Sequence, residues 1–314
     1  MRCRPAGVAM TLPRLGMRLH GGLAPVRCIE LAKAAEAEGL SSVWFAENPL
    51  ERGALTALAA CAASTSCIEL GVGVWNPYLR HPAQIAMDIS ALDELANGRV
   101  ALGIGSGLAA PIEKLGIDNK RPLGALEECF DTVRALLRGE TVDGVKLSYA
   151  ARPDIPLLMA ARGERALRLC GRVADGLIVS NMCPPGFAKH AALAARARRV
   201  VQYVPCSVGP DRRQAVAAMT PVLAGLLKTF WGLAQRVPAA RTSLVTYSGI
   251  PEADFAMVEP DERFLEAFTV TGDADDCRRR VAAYREAGVT DLVLTFVGAE
   301  PARDMAYLLR ALGA

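Results

Sequence analysis

Short apolar runs alternate with longer segments of helical periodicity from one end of this chain to the other. Leu15 to His20 and Ser42 to Ala46 are runs of strand length, as are Glu69 to Val74 and Arg99 to Ile104. Ile155 to Ala160, Gly176 to Val179, Val200 to Ser207 and Asp291 to Val297 continue the series. Between them, apolar residues recur at three- and four-residue spacing over Pro25 to Glu38, Arg52 to Ser64, Pro82 to Leu95 and Leu123 to Leu137. Gly39 and the Arg138-Gly139 pair close two of these segments, and Pro301 to Leu312 reads as a last helix. Eight strands that alternate with helices predict a single α/β domain, a (β/α)8 TIM barrel over residues 15–314. The alternative is a doubly wound sheet. It calls for a dinucleotide fingerprint after the first strand, and His20-Gly21-Gly22-Leu23 does not match one.

One interval breaks the rhythm. About residues 208–270 separate the seventh and eighth strands, more than one helix needs. Asp211 to Gln235 reads as helix, and Val237 to Pro260 is rich in proline and polar residues. This mainly helical insertion fits a lid, a substrate wall or an oligomer contact. Residues 1–14, with three arginines around a short apolar run, read as a flexible extension.

Composition narrows the function. Hydrophobic residues make up 52% of the 314-residue chain, enough for a continuous core, and the formal charge of +3 is spread among acidic neighbours. Solvated helix faces explain the arginine clusters better than a nucleic-acid surface does. Nine cysteines without a C-x-x-C pair and three histidines provide no metal-ligand cluster, and the cysteine pattern fits a reducing, cytoplasmic compartment. No uninterrupted apolar run reaches membrane-spanning length.

Chemistry concentrates where strands end. Gly103-Ile-Gly-Ser-Gly107 follows a strand without the lysine of a P-loop, and its glycines would let a flat ring or a phosphate lie on bare backbone. A tight turn would use glycine as well. At Met159 to Cys170 a strand ends, Gly163 turns the chain and a helix begins near Glu164. Its first N–H groups, beside Arg162 and Arg165, form a phosphate seat, unless both arginines are surface charges. Val74 to Pro82 carries two prolines and cannot extend a ladder; Asn76 could bond a heterocycle edge and Trp75 line a pocket, or both could serve packing. Glu47 ends the second strand. No nucleophilic triad is legible, so catalytic side chains stay unassigned and a bound organic cofactor would supply the chemistry.

The segments NPYLRHPAQIA, LDELANGR, LGIGSG and AARG…LRLCGRVADGLIVS resemble, in order and spacing, the luciferase-like flavin- and F420-dependent oxidoreductases. The branch they most resemble is that of methylenetetrahydromethanopterin reductase. The resemblance covers residues 15–207 and 268–314 and leaves the insertion unmatched. It implies a barrel binding coenzyme F420, or alternatively FMN, at the strand-exit end, and a cis Gly73–Val74 bond behind the ring. It places Asn76, Ser106 and Gly107 at the cofactor ring or its side chain. Arg162, Gly163, Arg165 and Ala166 match the phosphate turn, and Glu47 stands where an aspartate usually borders the ring. Two positions depart from the pattern: Asn48 replaces a histidine that is a candidate proton donor, and Leu108 replaces an acid. An amide donates no proton near neutral pH. The resemblance thus implies hydride transfer to a small-molecule substrate in a homodimer or higher homo-oligomer. Beside it stand an FMN-dependent monooxygenase and a non-catalytic flavin-binding protein.

Overall fold

The alternation of strands and helices closes on itself. The computed structural model describes residues 12–256 and 259–313. Its parallel strands are β1 (Arg14–His20), β2 (Ser42–Ala46), β3 (Glu69–Trp75), β4 (Val100–Ile104), β5 (Leu157–Ala160), β6 (Gly176–Val179), β7 (Val200–Val208), β8 (Val270–Gly272) and β9 (Asp291–Phe296). The helices of the first half are α1 (Pro25–Glu38), α2 (Ala54–Ser64), α3 (Pro82–Leu95), α4 (Ala109–Lys114), α5 (Pro122–Leu137) and α6 (Glu164–Val173). Those of the second half are α7 (Pro185–Ala195), α8 (Arg212–Ala234), α9 (Pro238–Arg241), α10 (Glu262–Phe268), α11 (Ala274–Glu286) and α12 (Pro301–Leu312).

Consecutive pairing runs from β1 to β7, and β9 pairs with both β7 and β1, which completes an eight-membered ring. The expected eighth barrel strand is therefore β9. The sequence reading lacked β8, which has only three residues and pairs with the end of β7 at Cys206 to Val208. A run that short carries no period-two signal; it forms because β7 extends past the ring and offers an open edge. The insertion is mainly helical as expected, with one π turn at Thr242–Thr246 and a 3-10 turn at Glu252–Ala256. Of the N-terminal extension assigned to residues 1–14, residues 1–11 lie outside the described residues, and Arg14 already belongs to β1.

Two apolar layers hold the ring. The outer one packs the helices on outward-facing strand residues such as Leu19, Phe45, Leu70 and Leu102. The inner one fills the lumen with Trp44, Ala101, Leu158, Ile178, Val201, Tyr203 and Val293, contributed by six strands. Trp44 dictates its neighbour: a Cβ on Gly71 would overlap the indole ring. At the strand starts an ionic cluster plugs the barrel. The fully buried Asp291 carboxylate accepts from Arg14 and Arg199, each at 3.0 Å, and Arg199 also pairs with Glu69.

Helix α8 has the length and apolarity of a membrane span, the one such helix among the described residues. Its buried Met219, Leu223 and Leu227 pack with Leu244, Phe255, Phe264 and Phe268 of the insertion, and it contains Pro221.

Candidate active site

Four strand exits converge on the mouth of the barrel. The Gly73–Val74 peptide is cis, as the resemblance implied, and the β3–β4 register shifts between Val72 and Trp75. The bulge turns Val74 over the lumen, where it and Ala160 cap the inner cluster. Gly105 fits between them: a Cβ there would stand 2.9 Å from Val74 Cγ2 and 3.0 Å from the Ala160 Cβ. Gly107 adopts a left-handed φ of 63°, so this glycine is both a turn residue and bare backbone. Tyr203 lies beneath the shelf, and a Cβ on Gly73 would overlap its hydroxyl.

Asn76 joins two of the loops. Its Nδ2 donates to the Ser106 carbonyl at 2.6 Å, and its Oδ1 accepts from the Tyr78 N–H at 2.8 Å. One N–H and one lone pair stay free for a ring edge. The structure thus brings Gly73, Val74, Asn76, Ser106 and Gly107 together.

The turn after β5 divides its predicted residues. Gly163 is the N-cap of α6, with φ −80° and ψ 151°, and no side chain caps the helix. The first-turn N–H groups of Glu164, Arg165 and Ala166 therefore face outward without a side-chain acceptor, and the Arg165 side chain is exposed beside them. Arg162 is placed differently. Its guanidinium donates to Ser243 Oγ at 2.9 Å, Ser180 Oγ at 2.7 Å and the Asn181 carbonyl at 3.1 Å, and it lies over Phe230. It ties the insertion to the β6 exit.

Glu47 is also engaged. Its carboxylate pairs with Arg80 and accepts from the Ala54 N–H at 2.6 Å, capping the start of α2. Arg80 in turn stacks on Trp75, 4.9 Å from the ring centroid. The NPYLRHP and LDELANGR segments are thus largely architectural. His81 caps α3 by accepting from the Ala83 N–H, and Asp93 holds Arg152 through two 2.8 Å bonds. Asn97 and Gly98 make the left-handed turn, and Arg99 donates to four acceptors around the end of α2.

Neither departure from the family pattern carries a proton. Asn48 bonds Glu51 at the surface, and Leu108 is an exposed cap of α4. The mouth holds other polar groups that the sequence did not single out. His20 ends β1, and its Nδ1 accepts from the Gly22 N–H at 3.2 Å, which assigns the proton to Nε2. Burial and the adjacent Arg18 charge, opposed by Glu51, hold its pKa below the usual histidine value. Tyr203 is deeply buried, burial pushes its phenol well up, and its hydroxyl has no partner. Arg18 lies two residues from the inward-facing Gly16, so it shares that face, but strand alternation alone does not say which face turns inward.

The residues of the mouth fit a flat cofactor with a phosphate tail. The shelf formed by the Val74 side chain and the bare backbone of Gly105 is apolar, and the uncapped start of α6 lies at the neighbouring β5 exit.

The luciferase-like monooxygenase family model matches residues 7–291. The chain is 30% identical to a 5,10-methylenetetrahydromethanopterin reductase of Methanolobus tindarius over 291 residues, covering 83% of this chain and 87% of that one. It is also 30% identical to an F420-dependent glucose-6-phosphate dehydrogenase of Beutenbergia cavernae, covering 94% of each. The solved coenzyme F420 dependent tetrahydromethanopterin reductase of Methanopyrus kandleri superposes with a TM-score of 0.77 at 25% identity, covering 95% of this chain and 97% of that one. The barrel, the bulged third strand and these matches together make this chain a member of the luciferase-like monooxygenase family of oxidoreductases.

Proposed function

We propose that this chain is an F420-dependent oxidoreductase that transfers hydride between the deazaflavin and a small molecule bound in the barrel mouth. One observation carries the reading: an apolar shelf of the Val74 and Ala160 side chains, kept open by the bare backbone of Gly105 and Gly107, adjoins the uncapped start of α6. The relatives named for F420 support the choice of deazaflavin over FMN. When bound, the deazaflavin supplies a two-electron hydride at its C5.

The protein's part is positioning. Val74 and Ala160, which cap the lumen cluster, would back one face of the ring, and the N–H of Asn76 not given to Ser106 would meet its edge. The first-turn N–H groups of Arg165 and Ala166 would hold the phosphate, with the Arg165 charge beside them. Glu47 acts on the ring through the loop it braces, because its carboxylate belongs to Arg80 and Ala54. Arg162 fixes the wall that the insertion builds next to the phosphate turn. The proton on His20 Nε2 stands at the β1 exit, two strands from β3 in the ring. With Asn48 and Leu108 unable to serve, His20 is the proton-bearing imidazole of this site.

Hydride acceptance by an iminium or unsaturated carbon, as the reductase relatives' names suggest, fits a mouth that lacks an acid at those two positions. A homo-oligomeric, cytoplasmic enzyme completes the reading. Titration of the purified protein with F420 and with FMN tests it. Saturable F420 binding with weak FMN binding is the expected result, and FMN binding without F420 binding overturns it in favour of an oxygen-using flavin enzyme.

A further inference from the structure

A guanidinium stands inside the barrel mouth without a counterion. Arg18 follows the inward-facing Gly16 by two positions on β1, so its side chain enters the lumen. It lies 5.5 Å from the Tyr203 ring centroid. Its Nε is buried with no acceptor, and Arg18 makes no hydrogen bond or ion pair among the described residues. Glu51 is the carboxylate whose charge it feels, but that group lies on the exposed β2–α2 loop, beyond ion-pairing distance, bonded to Asn48. Five other arginines of the barrel are committed. Arg80, Arg99, Arg152, Arg162 and Arg199 all hold carboxylates, hydroxyls or carbonyls.

Two further donors near Arg18 have no partner. The Tyr203 hydroxyl and Thr295 Oγ1 are both buried and unsatisfied. Thr295 is on β9, which pairs with β1 from Arg14 to Met17, and continuing that register sets it opposite Arg18. Isolated buried charge and orphaned hydroxyls are costly unless something completes them. A guanidinium fork flanked by two hydroxyls is matched by an oxyanion. The cofactor is poorly placed to provide one. The Tyr203 hydroxyl reaches under the Gly73 end of the shelf, but Arg18 and Thr295 stand on β1 and β9, whereas the shelf and phosphate turn belong to β3, β4 and β5.

We infer that Arg18, with Tyr203 and Thr295, binds an oxyanion group of the substrate, a carboxylate or phosphate, on the side of the mouth facing the cofactor shelf. This rests on the reading that substrate enters that mouth, and it adds the substrate's charge.

The cofactor-free protein provides the test. Thermal midpoints are followed against benzoate and against inorganic phosphate at constant ionic strength, with benzamide as the neutral control, for the wild type, Arg18→Met and Arg18→Lys. At least one anion raises the wild-type midpoint, benzamide does not, and Arg18→Met weakens the apparent affinity about tenfold or more. Arg18→Lys retains part of it. Without anion, Arg18→Met melts above the wild type, because it removes an uncompensated charge; a structural arginine would give the opposite sign. A benzoate-only or phosphate-only response identifies which oxyanion the site takes. The inference is overturned if neither anion acts, if Arg18→Met responds like the wild type, or if it melts lower. F420 titration of Arg18→Met separates the two readings. Affinity near that of the wild type is expected, and its loss would assign Arg18 to the cofactor instead. Failure of the wild type to bind F420 counts against the cofactor reading and leaves the anion result standing.

Discussion

Gly163→Asp sets helix-cap chemistry against cofactor binding, and the two should move in opposite directions. The N-cap backbone, at φ −80° and ψ 151°, already has the conformation an aspartate cap adopts. The new Cβ would meet the Ala239 Cβ at 3.3 Å, a contact that a small adjustment relieves. The carboxylate would then accept the N–H groups of Arg165 or Ala166, the donors assigned to the phosphate. In the cofactor-free protein this should stabilise α6 by a few tenths of a kcal/mol, since Asp exceeds Gly as a cap by about that much. For the cofactor the effect reverses. Two unit charges about 4 Å apart repel by ~1 kcal/mol in water and ~4 kcal/mol at a protein-surface dielectric, so ~2 kcal/mol suits this half-open helix start. Lost hydrogen bonds to a charged phosphate add ~1 kcal/mol or more, making a total weakening of roughly 100-fold. Equilibrium titration with F420, followed by deazaflavin fluorescence, measures the affinity, and thermal melting measures the cap. Gly163→Ala is the control: it adds the Cβ without the charge and should cost the cofactor far less. If Gly163→Asp binds F420 as tightly as the wild type, the phosphate does not sit on α6.

Three further outcomes follow from the geometry. Gly105→Val crowds Val74 and Ala160, so it should cost ~1–3 kcal/mol of stability and lower F420 affinity at least tenfold; unchanged affinity in a folded variant would remove the ring from this shelf. Asp291→Ala leaves Arg199 and Arg14 without their shared buried acceptor and should destabilise the barrel by ~3–5 kcal/mol in chemical denaturation, whereas a loss under 1 kcal/mol would show the strand-start cluster to be dispensable. His20 is harder to protonate folded than unfolded, so the unfolded chain takes up the extra proton as pH falls through its ordinary value of about 6.5. Stability should therefore drop on the acid side of that value, and His20→Gln should flatten that part of the profile; an identical profile in the variant would contradict the burial argument.

The barrel was legible in the sequence because its signals are local. Apolar runs of strand length alternate with amphipathic helices, and the glycines of Gly103 to Gly107 mark an exit where a side chain would collide with Val74 and Ala160. The short strand β8 was not legible, since Val270 to Gly272 becomes a strand through the free edge of β7 alone. Arg162 and Glu47 read as ligand residues from position, but what they hold depends on residues distant in the chain. Ser243 lies in the insertion, and Arg80 is thirty-three positions from Glu47. Arg18 was hidden for the opposite reason. A charged residue in an alternating strand reads as solvent-facing, and only closure of the ring turns that face inward.

The most direct measurement is a crystal structure of this protein with F420 bound. The ring should lie on Val74, Gly105 and Ser106 with its edge toward Asn76, and the phosphate should accept the Arg165 and Ala166 N–H groups. The side of the mouth lined by Arg18 and Thr295 should stay open to substrate. A cofactor seated on Arg18, or a phosphate away from the start of α6, would contradict the account.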